Sequence, residues 1–377
     1  MGRPKKDSTE VLEKNSNLDF SKIDAAIGEI KKSFGEEVVI NTDEIRKIPR
    51  VHLDSPILGY IMGDGGCPRG RVIELYGPES SGKSLLSQFI GSNFQRDGLF
   101  VVYVDTEHTF DSTYANIIGL KTTPDKFKLF QPDCGEDALS IAEKMAETGQ
   151  VGLIIMDSVA AMTPKAELEG EMTDMQMGAQ ARMMGKGLRK LSGILSKSNT
   201  TIIFINQIRS GIGPYAGVTT PGGNALKFFS SIRLEVRKIE TSGGSDTEDA
   251  SGIKSRVKCI KNKTGIPFRK GEMDFNFKTG VDFYKEYLDF AVSLGLIKKG
   301  GAWYTYGEDK FCGSKAIIEE FRTKPEYFKE IKDKIDTILS EDPSKKIDLI
   351  EEYSPDSEMT GEELAKFLVD QSLEETL

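Results

Sequence analysis

The eight residues "GPESSGKS", Gly77 to Ser84, hold the densest chemistry in the chain. Their G-x-x-x-x-G-K-[ST] spacing suits a loop whose backbone N–H groups close around phosphates. Gly77, Pro78, Glu79, Ser80, Ser81, Gly82, Lys83 and Ser84 are therefore the candidate nucleotide-binding residues. Lys83 would reach the β and γ phosphates, and Ser84 would hold Mg2+. Two apolar runs end in acids. "GLIIMD" ends at Asp157, placed to be a second Mg2+ ligand, although a strand-end aspartate serves equally well to start a turn. "LFVVYVDTEH" ends with Asp105 and Glu107. The carboxyl ends of strands border the ligand crevice of an α/β sheet, so Glu107 is a candidate to activate a hydrolytic water. Gln207 follows "TIIFIN" and opens the glycine-rich stretch "IRSGIGPYAGVTTPGG". Connections in α/β units usually take about 2–6 residues, so a loop this long points to function. A polar group at its root is suited to sense the γ-phosphate and to move the loop with it.

These residues need a scaffold that delivers them to one edge. "RVIELYG", "LFVVYVD", "GLIIMD", "TIIFIN" and "IRLEVRKI" read as short, near-continuous apolar strands separated by helical segments. That pattern predicts an α/β core over residues 50–270, a mostly parallel sheet with helices on both faces. "LDFSKIDAAIGEIKKSF", Leu18 to Phe34, reads as an amphipathic helix, and "EEVVIN" after it as a strand. This N-terminal unit, residues 1–49 with a disordered start over 1–17, has too little apolar surface to stand alone and should dock on its own chain or a neighbouring copy. Gly178 to Ser198 reads as a helix with Met184, Leu188, Leu191 and Leu195 as its buried stripe. Residues 241–252 read as a polar turn between two strands. Residues 271–340 suggest a small α+β module, and 341–377 an acidic tail.

The chain has 377 residues and a formal net charge of -9, yet its charges are segregated. Met175 to Leu234 contains no Asp or Glu, but holds Arg182, Lys186, Arg189, Lys190, Lys197, Arg209, Lys227 and Arg233. Ser251 to Lys270 is likewise basic and free of acids. The last stretch, from Glu351, is strongly acidic, fit either to compete with a polyanion for the basic windows or simply to solubilise the chain. Basic windows inside an acidic protein are the footprint of a polyanion site, the alternative being a solvated surface. Arg182, Lys186 and Lys190 share one helix face with no acid at i,i+4 spacing, which favours phosphate contact. No apolar run approaches the ~20 residues of a membrane span, the polar stretch "MGRPKKDSTE" does not read as a secretory signal, and Cys67, Cys134, Cys259 and Cys312 show no CxxC spacing. A cytoplasmic protein with reduced thiols and no membrane partner is expected.

The set "GPESSGKS", "VDTEHTFD", "DSVAAMTPKAELEGE", "MGAQARMMGKGLRKLSG", "IFINQIR", "GGNALKFF", "IKNKTGIPF" and "GAWYTY" resembles the bacterial RecA recombinase family, in order from about Leu18 to Leu339. The resemblance implies a RecA-type ATPase using ATP and Mg2+ that polymerises as a helical filament on single-stranded DNA and pairs it with double-stranded DNA. Single-strand-binding and mediator proteins are further partners it suggests. By matching positions, Glu107 would be the catalytic glutamate and Gln207 the γ-phosphate sensor. Lys261 and Lys263 would be the pair reaching a neighbouring subunit's ATP, and Asp111 and Tyr114 part of the adenine pocket. Glu169 to Gly178 and Arg209 to Gly222 match the two DNA loops, and Arg182, Arg189, Gly222, Gly223 and Asn224 match DNA-facing positions.

The chain departs from the family in places. The second loop is about two residues shorter, and its aromatic residue is replaced by Ala216 with Tyr215 beside it, so Tyr215 is the candidate to stack on bases. Ser112 stands where the family has proline, and Phe277 where it has the tyrosine that covers adenine. These departures suggest a phage-encoded or divergent member. A ring helicase or repair ATPase of similar core is the nearest alternative, but the chain has neither room nor cysteines for the extra domains those carry. A passive single-strand-binding protein would not need Lys83, Ser84, Glu107, Asp157 and Gln207 together.

Overall fold

The computed structural model describes residues 20–39, 48–63, 65–170, 178–210, 218–243 and 250–341. They fall into two units, residues 1–48 and 49–377. The first holds one helix, α1 (Phe20–Phe34), none of whose residues is buried. The expected strand after it is instead a 3-10 turn at Glu36–Val38. Gly35, at φ +94°, turns the chain out of the helix, and Val38 N and Val39 N then bond the Gly35 and Glu36 carbonyls. The chain closes on itself there, which leaves these groups unavailable to a ladder.

The second unit runs β1 (Arg50–His52), α2 (Pro56–Met62), β2 (Gly66–Pro68), β3 (Val72–Gly77), α3 (Lys83–Arg96), β4 (Phe100–Asp105), α4 (Ser112–Ile118) and β5 (Phe127–Phe130). It continues with α5 (Gly135–Glu147), β6 (Val151–Asp157), α6 (Lys165–Glu169), α7 (Ala179–Ser198), β7 (Thr201–Gln207), β8 (Arg209–Ser210), β9 (Val218–Thr219) and α8 (Ala225–Phe229). β10 (Ile232–Ser242), β11 (Gly252–Asn262), β12 (Lys270–Asn276) and β13 (Gly280–Val281) follow. The chain then forms α9 (Phe283–Ser293), β14 (Lys298–Gly300), β15 (Trp303–Tyr306), β16 (Asp309–Cys312), α10 (Ser314–Thr323) and α11 (Pro325–Glu341).

Nine strands form the main sheet in the order β13-β12-β11-β10-β3-β7-β6-β4-β5. From β10 to β5 every pair is parallel, and β10 to β13 are antiparallel. The five strands expected from the apolar runs are all present, and β5 joins them as an edge. The alternation of side chains explains why β6 and β7 read as continuously apolar. Ile203, Ile205, Leu153 and Ile155 face α3, whereas Ile202, Phe204, Ile154 and Met156 face α5 and α7. On α7, Met184, Leu188, Leu191 and Leu195 are the buried stripe, joined by Met183. The C-terminal module is a three-stranded antiparallel sheet, β14-β15-β16, with α9, α10 and α11, and its apolar residues join the cluster on the α3 side. Among the described residues no helix is long and apolar enough to cross a membrane. All four cysteines are free: Cys67, Cys134 and Cys259 are buried and Cys312 is exposed. Burial pushes the Cys67 thiol up to about 12 and that of Cys259 up to about 11.

One buried acid ties the module to the core. Ser55 caps α2, accepting from Leu58 N at 3.0 Å, and its hydroxyl donates to Glu286 of α9. Burial, with Asp274 and Asp289 adding to it and Ser55 opposing, raises the Glu286 carboxyl to about 8. The folded state thus holds this proton more tightly than the unfolded chain. Stability is full below the ordinary glutamate range and falls as the pH rises toward 8. Glu286→Gln should flatten the decline of melting temperature between pH 5 and 8, measured by circular dichroism in matched buffers; an unchanged decline would place the pH dependence elsewhere.

Candidate nucleotide and nucleic-acid site

Parallel register sets the site. Gly77 of β3 lies opposite Gln207 of β7, and Asp105 of β4 opposite Asp157 of β6. Met156 of β6 lies opposite Phe204 of β7, so β4 and β6 end about two residues before β3 and β7, and the four strand ends form a step at one edge of the sheet. Position 77 must be glycine, since a Cβ there would lie 1.9 Å from the Val236 carbonyl oxygen. Gly82, at φ +89°, then lets the chain turn into α3. β11 braces the loop from outside, with Ser255 Oγ donating to Ser81 O at 2.9 Å. The result is a run of N–H groups at a helix N-terminus, a site made for an anion.

Lys83 curls over this loop, donating to Pro78 O at 2.5 Å and lying 3.5 Å from Ser81 Oγ. Burial lowers its pKa, while Asp157, Glu107 and Glu79 pull the other way. The adjoining cleft has a volume of about 450 Å3, and Tyr114 and Phe277 lie along it with ring centroids 5.9 Å apart. Asp111 caps α4, its Oδ1 accepting from Thr113 N at 2.8 Å and Tyr114 N at 3.2 Å.

Ser84 Oγ donates to Asp157 Oδ2 at 2.8 Å. Tyr103, buried in β4, donates to the same oxygen at 2.6 Å. Burial raises the Asp157 carboxyl, and these two donors oppose it. Glu107 is exposed and anchored beside this pair, its carboxylate accepting from Ser158 Oγ. Its backbone is set by buried Asp105, which accepts from Glu107 N at 3.1 Å, Phe110 N at 3.0 Å and Gln131 Nε2 at 3.1 Å. No cluster of three or more His, Cys, Asp or Glu among the described residues could hold a metal. Ser84 and Asp157 instead offer two oxygens, which suits Mg2+, a cation that keeps waters and phosphate oxygens as most of its shell.

The basic face lies beside these strand ends. Arg182, Lys186 and Arg189 are exposed on α7. Lys190 departs from the expected phosphate-facing set: it pairs with Glu143 of α5 at 3.2 Å, an acid from a neighbouring helix that spacing along α7 alone does not reveal. The second basic window is likewise partly neutralised by β12, since Lys254 and Arg256 reach Glu272 at 3.4 and 2.9 Å. Lys261 Nζ donates to Lys227 O at 2.6 Å and Phe228 O at 3.1 Å, and Lys263 Nζ to Phe228 O at 3.2 Å, so both cations cap the end of α8. Gly222 and Gly223 adopt φ +83° and +70°, with Asn224 exposed at the start of α8. Tyr215 and Ala216, the Arg209 side chain, most of the expected first DNA loop (169–178), the middle of the turn over 241–252, residues 1–17 and the acidic tail lie outside the described residues.

The sequence by itself does not single out Tyr103 or Ser158. Tyr103 sits inside an apolar strand and reads as core. The available signal is period two, which puts it on the same face as Asp105.

Residues 21–282 match the family model described as the RecA N-terminal domain, and residues 285–340 the RecA C-terminal domain. The chain is 44% identical over 338 residues to Protein RecA of Borrelia hermsii, covering 88% of this chain and 94% of that one. It is 42% identical over 346 residues to Protein RecA of Nautilia profundicola, covering 90% and 98%. A crystal structure of the RadB recombinase overlays with a TM-score of 0.45 at 19% identity, covering 59% of this chain and 94% of that one.

Removing the Tyr103 hydroxyl leaves Asp157 buried with one donor fewer. Tyr103→Phe should cost about 1–3 kcal/mol in urea unfolding, and equal midpoints and slopes for the two proteins would deny the bond any weight.

Proposed function

Because the chain belongs to the RecA family, we propose that its recombination activity is driven by ATP and Mg2+ bound at residues 77–84, in a site completed by a neighbouring copy. The protein is a DNA recombinase: it binds DNA, forms filaments, hydrolyses ATP and exchanges DNA strands. The observation that carries the finer reading is the meeting of Lys83, Ser84, Asp157, Glu107 and Gln207 at the ends of β3, β4, β6 and β7.

The loop N–H groups and Lys83 hold the β and γ phosphates, which requires Lys83 Nζ to leave Pro78 O for the ligand. Ser84 and Asp157 hold Mg2+, which when bound neutralises charge developing on the phosphates. Glu107 orients the attacking water and accepts its proton, its carboxylate steadied by Ser158. Gln207 senses the γ-phosphate, while Tyr114 and Phe277 flank the base. Lys261 and Lys263 serve the site of the next subunit, exchanging the α8 carbonyls for phosphate oxygens. Arg182, Arg189 and residues 209–224 face the DNA, and Tyr215 stacks on its bases. Single-stranded DNA, double-stranded DNA and further copies of the chain are its partners, with single-strand-binding and mediator proteins as accessories. Its compartment is the cytoplasm of a bacterial or phage-infected cell.

Lys83→Ala should abolish productive ATP binding, measured with a fluorescent nucleotide. Glu107→Gln should keep nucleotide affinity and slow hydrolysis on saturating single-stranded DNA by ~10²–10⁴-fold. Wild-type turnover in Glu107→Gln would remove it from the catalytic role.

The shared site makes a separate prediction. When Lys83→Ala subunits are mixed with Lys261→Ala/Lys263→Ala subunits, ATPase activity should depend on composition non-linearly, and a straight line across the mixing series would argue for sites complete within one chain.

A further inference from the structure

The peptide between Pro221 and Gly222 is held from both sides by amide side chains. Its carbonyl oxygen accepts from Asn206 Nδ2 at 3.1 Å, and its N–H donates to Gln180 Oε1 at 3.1 Å. Both N–H groups and the oxygen of each amide are engaged. Asn206 Nδ2 also donates to Glu74 Oε1 at 3.1 Å, and Asn206 Oδ1 accepts from Gln207 N at 3.0 Å. Gln180 Nε2 donates to Val159 O at 2.8 Å and Met162 O at 3.2 Å.

The partners of these amides lie on elements of the nucleotide site. Asn206 immediately precedes Gln207, and Glu74 stands on β3, three residues before Gly77. Glu74 is fully buried and its other oxygen accepts from Arg233 Nε, so it cannot turn away from Asn206 without stranding a charge. Val159 lies two residues beyond Asp157, and Gln180 two beyond Gly178, where α7 begins. The clasped peptide has little slack. A Cβ at Gly222 would lie 3.0 Å from Val159 Cγ1, and one at Gly223 2.7 Å from Ala181 Cβ.

We propose that the Pro221–Gly222 peptide is the joint that couples nucleotide binding to the second DNA loop, with Asn206 and Gln180 as its positioning residues. This rests on reading Gln207 as the nucleotide sensor and residues 209–222 as a DNA loop. A shift of Gln207 toward a γ-phosphate moves the Asn206 amide to which it is bonded. Asn206 moves the peptide, and Gln180 keeps that displacement from dissipating by fixing the opposite edge to the chain beyond Asp157. Neither side chain needs to touch nucleotide or DNA.

The test measures a coupling ratio: affinity for a fluorescent oligo-dT strand with a non-hydrolysable ATP analogue and Mg2+, divided by the affinity without nucleotide. Such ratios typically lie in the ~5–150-fold range. Asn206→Ala and Gln180→Ala should each bring the ratio close to one, while affinity for the analogue without DNA stays within about twofold of wild type. The double variant should lose nothing more, because both act through one peptide. Asn206→Ser and Gln180→Met repeat the comparison should either alanine variant fold poorly by circular dichroism. Folded single variants that keep the wild-type ratio, or losses that multiply in the double variant, would overturn the joint. A wild-type ratio of one would instead overturn the reading of sensor and loop on which it stands.

Discussion

The register of the parallel strands is the constraint on which the rest of the molecule depends. β3 and β7 end together, and β6 and β4 end together about two residues earlier, so the loop at 77–84, a glutamine and two aspartates come to one edge of the sheet although they are spread over some 130 residues of sequence. A slip of one residue in any of these strands would turn its side chains to the opposite face. It would send Tyr103 away from Asp157 and bury a carboxylate among the helices instead. The apolar side chains guard against this. Ile203 and Ile205 pack on one face of β7 and Ile202 and Phe204 on the other, so each strand is keyed into two cores at once.

What could be read from the sequence is what repeats or what stands together. The residues of the loop at 77–84 are contiguous, and their strand–loop–helix setting is visible in hydropathy. The buried stripe of α7 has helical period, and the five core strands are runs of apolar residues. The unread features are side-chain bonds between remote positions. Nothing near Tyr103 announces Asp157, 54 residues away, and nothing near Lys190 announces Glu143. Charge counted along the chain overstated the basic surface because β12 and α5 return acids to it. Val38 and Val39 have the propensity for a strand, but a glycine just before them closed a turn first.

The same economy of polar groups runs through the site. Asp157 shares one oxygen between two hydroxyls, Asp105 organises a whole turn through two, and Lys261 and Lys263 rest on helix-end carbonyls. In each case a polar group at or beside the candidate site already has a partner within the chain. On the proposed reading, ligand binding exchanges one set of bonds for another, which reduces the penalty of leaving these groups bare between turnovers.

The burial of three cysteines has an unrelated consequence for the C-terminal module. Cys312 is the one exposed thiol of the four, and across the ladder of β15 and β16 it stands directly opposite Trp303, the chain's single tryptophan. The indole is itself half uncovered. A maleimide dye attached at position 312 would therefore sit beside the only indole in the molecule. The module thus carries a native donor and a selective attachment point as cross-strand neighbours, an optical ruler for its contacts that needs no engineered residue.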